Sequence, residues 1–291
     1  VIPASHYLSL DSESPEIRSG SFARLEAEFY GSIRTSNGTW KTTSPGRLDT
    51  INALFFEVAG SRLPARPVVF DVGASSGIST LEWLAEFDRR DVPVRMVAID
   101  RALSFYLVDL ALGCKALVEP NGTVVQIEAM GRGFRVWCGK RDYLNGTFLF
   151  RKALSWLVRS RLSAVRLPIK GAGDFVTGPH LLISPALKGR SDVTVVEDDI
   201  LCPSSEYRSQ ADVIRLANVM QRSYFLDTQL RAVARSVFAL CRGAGAFVIL
   251  CRNLDNGELQ GSILRAHRTG FSVEARIGGG SEVERYFADV E

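Results

Sequence analysis

The stretch VVFDVGASSGIST, Val68–Thr80, decides the fold. Val68, Val69, Phe70 and Val72 form a short apolar run broken only by Asp71, the pattern of a strand buried on both faces. Gly73 and Gly77 bracket a turn of small residues, Ala74, Ser75 and Ser76, and Ile78 opens a helix. Glycine at both ends lets the backbone take positive φ and pass close to another group. The helix start leaves N–H groups free for a polar ligand. Strand, glycine turn and helix in this order predict a cradle for a nucleotide-type ligand.

Downstream the same alternation continues. PVRMVAID reads as a strand and RALSFYLVDLALG as a helix. SDVTVVEDDI, ADVIRLANVM and GAFVILCRN read as strands, with the long helix FLDTQLRAVARSVFALCRG before the last. QGSILRAHRTGFSVEARIG reads as two strands around Thr269–Gly270. Val- and Ile-rich strands alternating with helices predict an α/β, doubly wound, Rossmann-like seven-stranded sheet with a C-terminal antiparallel hairpin.

Helical spacing also marks SFARLEAEFYGSIR and RLDTINALFFEVAG upstream, with a polar loop holding Trp40 and Lys41 between them. The simple fold does not need the segment after Gly113. There TVVQIEAMGRGFRVWCG predicts a hairpin turning at Gly131–Gly133, and TFLFRKALSWLVRSRL predicts a helix. The expected organisation is therefore an N-terminal helical lid segment (1–50), a ligand-binding core (51–113 with 191–291) and an inserted α+β lobe (114–190) acting as a substrate cap.

The bulk numbers exclude more than they assign. The 291 residues are 46% hydrophobic with a net charge of +3, enough for a large core and too weakly basic to argue for specific nucleic-acid binding. Five cysteines lie without a CxxC pair, and the three histidines are scattered. This argues against a disulfide framework and predicts no metal site. The first twenty residues lack a basic stretch followed by an apolar core, so a cytoplasmic location is expected, with membrane association as an added reading.

Two families write nearly the Val68–Thr80 string. The short-chain dehydrogenases, which bind NAD(P), need a Tyr-x-x-x-Lys pair, and no tyrosine here is followed four residues later by lysine. The class I S-adenosylmethionine (SAM)-dependent methyltransferases carry Asp-x-Gly-x-x-x-Gly, matched by Asp71, Gly73 and Gly77, with Ser75 where glycine is common. Asp100 ends the second strand, Asp199 and Ile200 follow the third, and Asn218 ends the fourth. In order and spacing, residues 65–113 and 191–291 resemble the class I SAM-dependent methyltransferases. The resemblance implies SAM as cofactor, held by Asp71, Gly73, Ala74, Ser75, Gly77, Asp100, Arg101, Asp199, Ile200 and Asn218.

The same resemblance places Arg222 and Tyr224, after the fourth strand, near the methyl acceptor as candidate catalytic residues. It implies transfer to an O or N of a small-molecule or lipid acceptor. A SAM-fold binding protein without transferase activity is the alternative. The helix over 147–162 sets Leu149, Ala153, Leu154, Trp156 and Leu157 against Arg151, Lys152 and Arg159. Packing on its own domain is the ordinary expectation for such a helix; peripheral membrane contact is the second.

Overall fold

A computed structural model of the chain describes residues 1–19, 22–36, 38, 41, 44–110, 113–138, 147–163, 165–223, 225–254 and 256–290. It divides into two compact units, 1–44 with 103–189 and 45–102 with 190–291. Among the described residues the helices are α1 (Ala4–Ser9), α2 (Pro15–Arg18), α3 (Phe22–Gly31), α4 (Asp49–Ala59), α5 (Ile78–Asp88), α6 (Thr147–Leu162), α7 (Pro185–Lys188) and α8 (Asp227–Leu240).

The unit 45–102 with 190–291 holds a seven-stranded sheet. Its strands are β1 (Val68–Val72), β2 (Arg95–Asp100), β8 (Val193–Glu197), β9 (Val213–Ala217), β10 (Phe247–Asn253), β11 (Leu259–Ala266) and β12 (Phe271–Ile277). The order across the sheet is β12-β11-β10-β9-β1-β2-β8. Five strands from β10 to β8 are parallel, and β11 and β12 close the edge as an antiparallel meander. This is the Rossmann-like sheet with the C-terminal hairpin that the sequence predicts. The chain steps outward from β1 to β2 to β8, then returns to the other side of β1 to lay down β9 and β10. The strand order therefore reverses between β1 and β9.

Burial explains these elements. β9 and the first five residues of β10 are wholly buried, as strands covered on both faces must be. In α8, Leu230, Val233, Ala234, Val237 and Leu240 recur at three- and four-residue intervals and are all buried, the apolar stripe of a helix lying on a sheet. The Gln229 side chain accepts the Leu226 N–H at 2.9 Å and caps the helix start. In α4, Ile51, Asn52, Phe55, Phe56 and Ala59 form the buried face.

The other unit carries a five-stranded sheet, β6 (Arg132–Arg135), β5 (Val124–Ala129), β4 (Lys115–Val118), β3 (Ser104–Asp109) and β7 (Val176–Leu181), in that order. All of its pairings are antiparallel. Here the structure corrects the sequence reading: residues 104–109, expected inside a helix, are the inner strand β3, between β4 and β7. Phe105 and Leu107 pack on one face with Tyr7, Phe29 and Tyr30. Tyr106 and Val108 pack on the other with Val158 and Leu162 of α6. A strand apolar on both faces has no polar alternation, so its sequence cannot be told from a buried helix by periodicity.

The division of the chain changes accordingly. The second unit begins at Leu103 rather than after Gly113, and 1–44 belong with it. Tyr30 is fully buried, and Lys41 is 4% exposed, with its ammonium 5.9 Å over the Phe105 ring. These two residues thus form part of the unit's interior rather than an exposed lid. Trp40 lies outside the described residues. The β5–β6 hairpin turns at Met130 and Gly131, both with positive φ, the conformation that matches strand twist in a two-residue turn.

Tyr7 donates a 2.7 Å hydrogen bond to Glu26 Oε1, and Glu26 is 3% exposed. Burial raises the Glu26 pKa above its ordinary value of 4.5, against hydrogen bonds from Ser184 and Tyr7 that lower it. A raised acid pKa gives stability that is complete below 4.5 and lost as pH rises through the folded value. Glu26→Gln should therefore match the parent near pH 4 and exceed its melting temperature increasingly as pH rises. Thermal melts across that range check this; a constant difference would show that folding does not raise the Glu26 pKa.

Candidate functional site

The carboxyl ends of β1, β2, β8 and β9 carry four adjacent loops. After β1 the turn runs Gly73 (φ +81°), Ala74, Ser75 (φ +56°), Ser76 and Gly77 (φ +84°). Gly73 and Ala74 N–H both donate to the Ile99 carbonyl of β2, at 2.8 and 3.0 Å. Gly77 N–H closes the turn on the Ala74 carbonyl at 2.8 Å. Gly77 is then the left-handed N-cap of α5, with no side-chain cap and no acidic residue in the first helical turn. Ser75 holds a left-handed conformation that costs a non-glycine residue roughly 1–2 kcal/mol.

Asp100 ties this turn to the next loop. Its Oδ2 accepts the Ser75 N–H at 2.7 Å and its Oδ1 the Ala102 N–H at 3.0 Å. Its backbone carbonyl accepts the Asp198 N–H at 3.1 Å. Asp199 pairs with Arg101 at 3.5 Å and accepts the Leu201 N–H at 3.0 Å. The ends of β1, β2 and β8 thus bring together the turn, Asp100, Arg101 and Asp199.

Four expectations change. Asp71 does not face a ligand: it is 2% exposed, and its oxygens are taken by Arg215 Nε (2.9 Å), Arg215 Nη2 (2.7 Å) and Thr80 Oγ1 (2.6 Å). Ile200 is 7% exposed and belongs to the core beside Leu216 and Met220, so it is not free to cover a ring. The Asn218 side chain buttresses the rim: its Oδ1 accepts the Asn253 N–H at 2.7 Å, and its Nδ2 donates to Asn253 Oδ1 at 3.2 Å. At Gly73 a Cβ would lie 2.2 Å from Val219 Cγ2, so the neighbour that requires glycine there is a side chain of the loop after β9. Arg222 is exposed, with its N–H on Glu282 Oε1 at 3.1 Å. Tyr224 lies outside the described residues.

The sequence reading missed the charges beneath the site. Arg215 is wholly buried and is Asp71's register partner across β9 and β1. It also donates to Asn52 Oδ1 (3.1 Å) and the Ser79 carbonyl (3.0 Å), and stacks 4.1 Å from the Trp83 ring. One signal was legible: a lone arginine in the apolar strand VIRLA needs a buried carboxylate. Above it sit Arg47 and Glu82. Arg47 Nε and Glu82 Oε2 are buried without a hydrogen-bond partner, while Glu82 Oε1 accepts the Gly46 N–H at 2.7 Å. The Arg47 carbonyl accepts Asn253 Nδ2 at 3.3 Å. Burial, then the neighbouring Arg215, lowers the Arg47 pKa; burial raises that of Glu82. Burial also pushes the Cys251 thiol up to about 12, which leaves it unreactive near neutrality.

No protein-family model and no curated protein matches the chain. Among solved structures it is similar to the CMeT domain of the citrinin polyketide synthase, at 12% identity and TM-score 0.32, over 83% of this chain and 42% of that one. It is also similar to a putative SAM-dependent methyltransferase from Methanococcus maripaludis, at 10% identity and TM-score 0.33, over 85% of this chain and 65% of that one. An aminoglycoside resistance methyltransferase matches at 14% identity and TM-score 0.29, over 77% and 68%. The chain thus spans less than two thirds of the first two structures. At such scores the likeness adds nothing to the strand order itself. Among the described residues, no group of three or more His, Cys, Asp or Glu side chains is placed to hold a metal ion.

The Asp71–Arg215 pair is testable without any ligand. Arg215→Met alone should destabilise the protein by about 3–5 kcal/mol, because Asp71 stays buried without its counter-charge. Asp71→Leu combined with Arg215→Met should recover much of that loss. Urea unfolding followed by circular dichroism measures both; a single variant within about 1 kcal/mol of the parent would show that the pair does not hold β1 to β9.

Proposed function

We propose that the chain is a SAM-dependent methyltransferase acting on an O or N of a small-molecule or lipid acceptor. The observation that carries this reading is the placement of the Gly73–Gly77 turn. It lies at the carboxyl end of β1, where the strand order reverses toward β9. In open α/β sheets ligands bind at that switch point. The acidic side chains ending β2 and following β8 suit ribose and adenine groups, and the uncapped start of α5 suits a polar ligand end.

The residues present fit such a cofactor. Asp100, at the carboxyl end of β2 beside the Gly73–Gly77 turn, is the acidic side chain placed for ribose hydroxyls. Arg47 Nε and Glu82 Oε2, buried and unpaired, are a donor and an acceptor suited to the carboxylate and ammonium of an amino-acid end. A buried polar atom left unpaired costs about 1–3 kcal/mol, so a ligand that pairs both gains affinity. When bound, the cofactor supplies an electrophilic methyl on a sulfonium with a neutral leaving group. The protein's task is then to hold an acceptor atom in line with it. Arg222, exposed on the loop after β9, and Tyr224 are the candidates for orienting that acceptor.

Calorimetry with three ligands tests the assignment. Asp100→Ala should weaken both S-adenosylhomocysteine and methylthioadenosine by about 1.5–3 kcal/mol, the range for a hydrogen bond to a charged group. Arg47→Gln should weaken S-adenosylhomocysteine alone, because methylthioadenosine lacks the amino-acid end. NAD(P) binding without SAM binding would overturn the proposal in favour of a dehydrogenase-like site. Binding of SAM without turnover on any acceptor would favour the binding-protein alternative.

Gly73→Val should abolish SAM binding and also lower stability, since the new side chain meets Val219 and a φ of +81°. Near-parental affinity in that variant, read by the same titration, would remove the turn from the site.

A further inference from the structure

The helix α6 is amphipathic in the opposite sense from an ordinary surface helix. Val158 and Leu162 are buried against the five-stranded sheet, with Leu154 packed beside them. Yet Trp156 is 68% exposed, Leu149 62%, Phe150 47% and Leu157 38%. At 3.6 residues per turn, Trp156, Leu149, Ala153, Leu157 and Phe150 fall within one arc roughly 120° wide. That arc lies opposite Val158. The outer face of a helix that covers a sheet is normally charged or polar. Here it is apolar apart from Ser160, and four of the ten large apolar side chains left exposed among the described residues lie on this one helix.

The charges of α6 lie along the borders of that face. Lys152 and Arg159 run along one edge and Arg161 along the other, all three exposed. The helix has no acidic residue. Arg151 is turned inward, donating to the Trp137 carbonyl at 2.8 Å. An apolar stripe headed by tryptophan and leucine, flanked by basic residues and free of acids, complements a surface that is apolar within and anionic at its rim. α6 is only 16 residues long, and no described helix is long and apolar enough to cross a membrane, so the fit is to lying on a bilayer rather than spanning one.

We propose that α6 is an interfacial helix that seats its Leu149–Ala153–Trp156–Leu157 face in a bilayer carrying anionic lipids. Lys152, Arg159 and Arg161 rest among the headgroups at its edges. This docking is independent of the methyl-transfer reading, because it uses no residue of the candidate site.

Co-sedimentation of the full chain with phosphatidylserine-containing vesicles tests it, against pure phosphatidylcholine vesicles. Binding should require the anionic lipid and weaken between about 0.1 M and about 1 M salt, where the screening length falls from about 10 Å to about 3 Å. Tryptophan emission should shift to the blue on binding, and Trp156→Phe should remove the shift. Trp156→Ser with Leu157→Ser should weaken binding about tenfold or more, and Lys152→Glu with Arg159→Glu at least as much. These side chains are exposed, so circular dichroism and melting temperature should stay near parental. A parent that remains in the supernatant with anionic vesicles overturns the proposal, as do variants that sediment like the parent. So does a parental dimer that the Trp156→Ser, Leu157→Ser variant converts to monomer without any vesicle binding, which would assign the face to a second copy of the chain.

Discussion

Asp71 and Arg215 meet across β1 and β9, fully buried, at the one place in the sheet where the strand order reverses. A guanidinium in a sheet interior is tolerable only if its donors are used. Arg215 directs its donors to Asp71, Asn52 and the Ser79 carbonyl, and lays its plane on Trp83. One residue therefore links β9 to β1, to α4 and to the first turn of α5. Thr80 adds a second link from α5 to Asp71. The glycine turn between β1 and α5 is thus clamped at both ends before any ligand is considered.

That clamp sets the geometry of the loops above it. With β1 and the start of α5 fixed, Gly73–Gly77 has few residues in which to reverse direction, and three of the five take positive φ. Asp100 then fastens the turn to the end of β2 through the Ser75 N–H. Asn218 fastens the end of β9 to Asn253 of β10. Much of the polar rim is occupied with holding itself in place, which is how a site becomes preorganised. Arg47 Nε and Glu82 Oε2 are an exception, buried without partners, as are Asn52 Nδ2, Trp83 Nε1 and Arg252 Nε in the same unit.

The other unit follows a different principle. Its antiparallel sheet is covered on both faces, by α1 and α3 on one and by α6 on the other, so that β3 is buried on both faces from Phe105 to Val108. With the sheet already covered, the outer face of α6 is not needed for folding. Its apolar character therefore calls for a partner beyond the unit itself.

The sequence by itself determined the parallel sheet, its closing hairpin and the glycine turn, because short Val/Ile runs, Thr-Gly and Gly-x-x-x-Gly are local signals with local physical causes. It also placed Asp100, Arg101 and Asp199 at strand ends, since position along a strand is counted in residues. Tertiary structure alone decided what pairs across strands. Asp71 and Arg215 are 144 residues apart in the chain, and only the β1–β9 register turns an expected ligand contact into a buried ion pair. The same holds for β3, whose sequence suits helix or strand equally until two layers pack on it. It holds for α6 as well: its composition shows two kinds of face, but only packing decides which one meets the protein and which one meets the solvent.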